Sequence, residues 1–120
     1  ANHKPSEEAL NYVVEAGGKK LLYAHDSGEL RADTMAFLAG MGLDFVSLDC
    51  TSGLNDTGDH HMGLPNCRRV REELTRSGAA RPGAIFALSH ISHNSHVSHR
   101  QLSLAAEGFI VAHDGMEISF

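Results

Sequence analysis

The sequence predicts an α/β (α+β) chain built on a mixed sheet with helices packed against it. Three observations predict this class. Short β-rich or apolar runs recur along the 120 residues. Helical patterns ending at glycine separate most of them. A Gly17-Gly18 pair between the first two runs reads as a hairpin turn, so at least one pairing is antiparallel.

The elements follow in order. Asn11 to Glu15 is rich in β-formers, and Lys19 to Ala24 is a second strand that runs into His25-Asp26-Ser27-Gly28. From Arg31 to Met41 the pattern turns helical, with Met35, Phe37, Leu38 and Met41 apolar and Gly42 as the stop; Asp33 or Asp26 is positioned to cap it. Leu43 to Asp49 is a short apolar run, read as a buried strand, and Thr51 to Gly63 is a polar, glycine-rich loop. Pro65 suits the first turn of a helix whose apolar face is Leu64, Cys67, Val70 and Leu74, ending at Gly78. Ala84 to Ser89 is another buried strand, followed by a polar loop. Ser98 or Ser95 caps a helix through Leu102, Leu104 and Ala105 that stops at Gly108. Phe109 to Ala112, an Asp114-Gly115 turn and Met116 to Phe120 complete the order β-β-α-β-α-β-α-β-β. No repeat, low-complexity segment or linker interrupts residues 1–120, which form one domain or one large piece of one.

Composition narrows the function classes. Hydrophobic residues at 42% against 21% charged supply a core and argue against disorder. The net charge is -5, and no basic cluster exceeds Lys19-Lys20 or Arg68-Arg69, so a polyanion-binding surface is not expected. No apolar run is long enough to span a bilayer, and no signal peptide is visible. Cys50 and Cys67 are far apart in sequence and read as buried thiols of a reducing compartment, hence a cytoplasmic location. The chain begins at Ala1 without methionine and enters patterned sequence almost at once, as a fragment of a longer protein would. Nine histidines, among them His90, His93, His96, His99 and His113, call for an explanation.

Polar residues at strand ends offer one. Asp26, Asp49 and His90 each lie at or just beyond the carboxyl end of an expected strand, and in a parallel sheet such positions converge on one edge. Imidazole and carboxylate together suit Zn²⁺ or Mn²⁺. On spacing alone the bland reading, Asp26 as a helix cap and His90 as a loop residue, is the stronger. His60-His61-Met62 lies in a polar loop just before a helix, from which a histidine can reach a site as a general acid.

At these positions the chain resembles metallo-β-lactamase-fold hydrolases. Tyr23-Ala-His-Asp26-Ser-Gly28 resembles their Y-x-x-D-[ST]-G block, and Leu88-Ser-His90-Ile-Ser-His93 their late L-[ST]-H-[IF]-[GS]-H block. Asp114-Gly-Met-Glu-Ile118 is similar to the ending of the branch that contains a phosphoribosyl cyclic phosphodiesterase and relatives of the tRNA 3′-processing endonuclease. Asn2-His3 and His61-Met62 sit where that branch has an isolated metal-binding histidine and a catalytic one. The resemblance covers nearly the whole chain. It implies the C-terminal αβ half of an αββα sandwich, with helices on one face of the sheet. It further implies a phosphodiester substrate, small-molecule or nucleotide-like, and two Zn²⁺ or Mn²⁺ ions about 3.5–4 Å apart. His3 would ligate the first, Asp26 would bridge both and His90 would ligate the second. His61 would protonate the leaving group.

The family's H-x-H-x-D-H motif does not occur in the sequence. The ligands present are divided between two ions, so partial or no metal occupancy and no activity are expected of this chain alone. The apolar inner face of the sheet, covered by the other half in that fold, is expected to dimerise or to bind the N-terminal half. Two other readings compete. One is a non-catalytic His-rich metal-binding or interaction domain, with His90, His93, His96 and His99 as a chelating cluster. The other is a stand-alone doubly wound domain, ranked last because no glycine-rich phosphate loop is present.

Overall fold

A computed structural model describes residues 1–120 as an α/β structure with one five-stranded mixed sheet. The strands are β1 (Tyr12–Ala16), β2 (Lys19–Ala24), β3 (Leu43–Asp49), β4 (Ala80–Ser89) and β5 (Ile110–Val111), and they lie side by side in that order. The helices are α1 (Ala32–Leu38), α2 (Leu64–Arg76) and α3 (His99–Ala105). Only the β1–β2 pair is antiparallel, joined by the Gly17-Gly18 turn, where both residues take positive φ. The other three pairings are parallel.

Register divides the sheet into two faces. Leu22, Val46 and Phe86 lie abreast, as do Ala24, Leu48 and Leu88. These side chains join Met35 and Leu38 of α1, Leu64, Cys67, Val70 and Leu74 of α2, and Leu102 of α3 in one buried cluster. All three helices therefore cover the same face. The i, i+3, i+6, i+10 spacing of these α2 residues puts them on one stripe of that helix. The intervening rows, Leu21–Phe45–Ile85 and Tyr23–Ser47–Ala87, point the other way. That second face is thinly covered: the Phe120 ring rests 4.8 Å from that of Phe45, while Tyr12, Val14 and Tyr23 stay exposed.

Some expected boundaries differ from the structure. Met116 to Phe120 is not a strand. It has no ladder partner, and Phe120 instead packs flat on the open face. The strand expected over Phe109–Ala112 is reduced to Ile110–Val111, paired with Ala87 and Leu88. Helix α1 stops at Leu38 rather than Met41 because Gly40, at φ +71°, ends it. Neither Asp33 nor Asp26 caps it, since Arg31 holds the N-cap position without a side-chain bond. Helix α3 does carry the Ser98 cap, whose hydroxyl accepts from the Gln101 amide. Strand β4 begins at Ala80, earlier than expected, because an irregularity carries Pro82-Gly83 outside the ladder between Leu43–Ala80 and Phe45–Ile85.

Asp44 sits opposite that irregularity. Its carboxylate accepts the Lys20 amide at 2.9 Å and is ion-paired with Arg81, with Lys19 at 3.6 Å. The Lys20 amide above all, helped by the two cations, holds its pKa below the ordinary value. A lowered carboxylate pKa stabilises the fold fully above the unfolded value of about 3.9, and the effect fades as pH falls towards the folded value. Asp44→Asn should therefore lower the melting temperature at neutral pH and narrow the gap to wild type near about pH 3. Thermal melts at the two pH values check both limbs.

Candidate metal centre

The parallel strands place the candidate side chains. Asp49 is the last residue of β3, His90 follows β4 directly, and Asp26 lies two residues beyond β2, so the three meet at the carboxyl edge of the sheet. Asp26 and His90 both take the left-handed conformation, with φ of 51° and 56°. A non-glycine residue there costs on the order of 1–2 kcal/mol, and such strain clusters at functional sites. Of the three non-glycine residues in this region, two belong to this rim; the third is His96.

Two further segments are drawn onto the rim. The Gly28 amide donates to the Asn2 carbonyl at 2.6 Å, which lays His3 beside Asp26. The Glu29 amide donates to the Gly58 carbonyl at 2.9 Å, which brings in the loop that carries His60 and His61. Gly28 permits this: any Cβ there would strike the Gly58 carbonyl oxygen, so the glycine of the D-S-G block is a packing requirement. The loop is tied further by Asn66, whose side-chain oxygen accepts from the Thr57 and Gly63 amides while its nitrogen donates to Glu29 and Asp56. Arg69 clamps those two carboxylates from outside.

Asp49 is the hub. Its side chain is wholly buried. Oδ2 lies 3.1 Å from His61 Nδ1, 3.2 Å from His90 Nδ1 and 3.3 Å from the Ser27 amide. Oδ1 accepts from the Thr51 amide at 2.9 Å and the Met62 amide at 3.4 Å. Four N–H groups are directed at this one carboxylate, with His90 Nδ1 close by, and they leave it few free lone pairs.

The tautomers follow from the partners. Thr51 Oγ1 lies 2.7 Å from both the His90 carbonyl and His90 Nδ1. The carbonyl can only accept, so the hydroxyl proton goes to it, and Oγ1 accepts from a protonated Nδ1. His90 is thereby left with a free lone pair on Nε2. His61, giving Nδ1–H to Asp49, has the same arrangement. His3 turns Nε2 to Asp26 Oδ1 at 3.3 Å and Nδ1 to Glu7 at 3.3 Å, the pattern of a ligand imidazole with an outer carboxylate. His25 is held by Ser47 at 2.6 Å. Burial, then the neighbouring His90, lower its pKa below the ordinary histidine value against the pull of Asp49, so it stays neutral.

Ligand atoms of Asp26, Asp49, His61 and His90 all lie within 4.8 Å of one another, so this group could hold a metal ion. The donor set, imidazole nitrogen and carboxylate oxygen without sulfur, fits a divalent ion such as Zn²⁺ or Mn²⁺. The crowding of donors on Asp49 makes it a better orienting group for His61 and His90 than a ligand.

His3, Asp26, His61 and His90 all belong to this rim: His61 Nδ1 is 3.8 Å from Asp26 Oδ1, and its ring lies 5.2 Å from that of His3 and 5.7 Å from that of His90. The role of Asp49 was not legible from its strand-end position, because what defines it is burial beneath two histidines remote in sequence. His25 gave no signal beyond adjacency to Asp26.

The alternative chelating cluster is not assembled. His90 follows a strand, His93 lies in a 3-10 turn over His93–Ser95, His96 is left-handed and His99 begins α3, so no common helix aligns them. His99 instead pairs with His113, with ring centres 5.9 Å apart. Cys50 and Cys67 are buried free thiols, and Cys67 donates to the Asp49 carbonyl at 3.2 Å. Contact with Cys50, then burial, push the Cys67 thiol up, so it is not a ligand in waiting. No helix is long and apolar enough to cross a membrane. Neither a protein-family model nor a curated protein matches the chain.

Proposed function

We propose that this rim is part of the metal site of a metallo-β-lactamase-like hydrolase that acts on phosphodiesters. The observation that carries the reading is the convergence of Asp26, His61 and His90 in one group within ligand distance of each other, with His3 beside Asp26 and each histidine held at one ring nitrogen by an outer partner. In this reading His3, Asp26 and His90 would hold the divalent metal, Zn²⁺ or Mn²⁺. Bound divalent ions supply Lewis acidity and an acidified water. Asp49 holds His61 with Nδ1–H inward and Nε2 outward, so that Nε2, once it has taken up a proton, can deliver it to the leaving oxygen. The remaining ligands belong to an H-x-H-x-D-H segment outside these residues. That segment, or a second copy of the chain, would cover the exposed face around Tyr12, Val14 and Tyr23. The His-rich chelator reading has no such convergence behind it.

The test is turnover of bis-p-nitrophenyl phosphate with Mn²⁺. The 120 residues alone should take up metal weakly and show no robust turnover; joined to an H-x-H-x-D-H segment they should become active. In the active protein, His61→Ala should lower kcat by about 10²–10⁴-fold and leave metal uptake unchanged. Robust metal-dependent turnover by the 120 residues alone, or an inert joined protein, would contradict the proposal.

A further inference from the structure

A cleft of about 650 Å³ shares no residue with the rim, and its size suits a ligand site. One wall is a face of α2, where Arg68, Arg71, Glu72, Thr75 and Arg76 follow i, i+3, i+4, i+7, i+8 spacing. Glu107 and Phe109, just beyond α3, form the other wall, and Phe109 alone is apolar. Pockets for apolar ligands are lined mainly by hydrophobic side chains, so recognition here rests on charge. No run of basic residues in the sequence shows this; the helix assembles it.

Two of the three guanidiniums are fixed in place. That of Arg71 lies 5.1 Å from the Phe109 ring centre and 5.5 Å from that of Phe86, and it donates to the Gly108 carbonyl at 3.1 Å. Gly108, at φ +82°, makes room for it, since any Cβ there would strike the guanidinium. Arg68 donates to the Ala105 carbonyl at 2.6 Å. Both partners are neutral, so both cations keep their charge and most of their five N–H donors. Arg69, on the adjoining face, is instead bound by the carboxylates of Glu29 and Asp56. Arg76 is exposed and has no such partner. Glu72 and Glu107 share the cleft but pair with none of its guanidiniums. Both are exposed and free to swing into water, whereas Arg68 and Arg71 are held. Fixed donors cost an incoming anion less to engage than mobile ones, and three cations outnumber two carboxylates.

We propose that this cleft binds a single oxyanion, the carboxylate or phosphate group of a ligand, through Arg68, Arg71 and Arg76. Planar guanidinium forks match either group with paired N–H···O bonds. The site needs no metal and stands apart from the hydrolase reading.

The test is an NMR titration of the arginine Nε–H signals with succinate and with inorganic phosphate, in metal-free buffer, against sodium chloride of equal ionic strength. At least one of the two anions should shift the Arg68, Arg71 and Arg76 signals saturably, and the tighter of them identifies the group recognised. Arg76→Gln should leave the melting temperature unchanged and weaken that binding by about 10-fold. Arg71→Lys, which keeps the charge and loses the fork, should weaken it as well. Glu107→Gln should tighten it by removing a repelling charge. Shifts no larger than those in sodium chloride, an Arg76→Gln variant that binds like wild type, or binding weakened by Glu107→Gln would each overturn the proposal.

Discussion

Asp49→Ala should be the most damaging single change on the rim, lowering stability by about 4 kcal/mol and abolishing metal uptake together. The carboxylate is fully buried and accepts from the Ser27, Thr51 and Met62 amides as well as from His61. Hydrogen bonds to a charged group are worth about 1.5–3 kcal/mol each, and donors left unmet in the interior cost more than the bonds they lose. The estimate lies below a simple sum because the loop around Met62 can relax towards water. The same substitution frees the His61 and His90 rings from the partner that orients them. Chemical denaturation reads the stability loss, and a competition titration against a chromophoric chelator reads the metal. A variant of wild-type stability would mean that Asp49 is not the hub of the rim.

Asp26→Asn should produce the opposite pattern, in which metal binding is lost and the fold is kept. The side chain is 59% exposed, and asparagine is among the residues that best tolerate the left-handed backbone found at this position. Surface changes of this kind stay within about 0.5 kcal/mol. The amide, however, is neutral and offers a cation no charge to pair with. Metal affinity should fall by more than the about 10–100-fold typical of losing an outer partner. The pair of variants separates the two carboxylates, one holding the architecture and the other facing the ion. Equal metal affinity in wild type and Asp26→Asn would remove Asp26 from the site.

Much of this arrangement could be read from the residues. Alternation of apolar runs with glycine-terminated helical patterns placed β2, β3 and α2 close to their observed limits, because β3 is buried throughout and α2 buries one stripe. The parallel order then made convergence of Asp26, Asp49 and His90 a geometric expectation. The chain ends were less legible. Met116 to Phe120 has a β-like pattern, but a pattern cannot tell pairing at an edge from packing on a face, and here Phe120 packs on Phe45. The function of Asp49 was hidden for a related reason. Its partners are amides and imidazoles brought in by the Gly28–Gly58 contact, a backbone approach that leaves only a glycine in the sequence as its trace.

In the proposed reading, His3, Asp26 and His90 hold the metal, rather than the run from His93 to His99. Equilibrium dialysis with Zn²⁺ on four single variants tests it most directly. His3→Ala and Asp26→Ala should reduce uptake, while His93→Ala and His96→Ala should leave it at the wild-type level. Uptake that survives the first pair and collapses with the second would contradict the account.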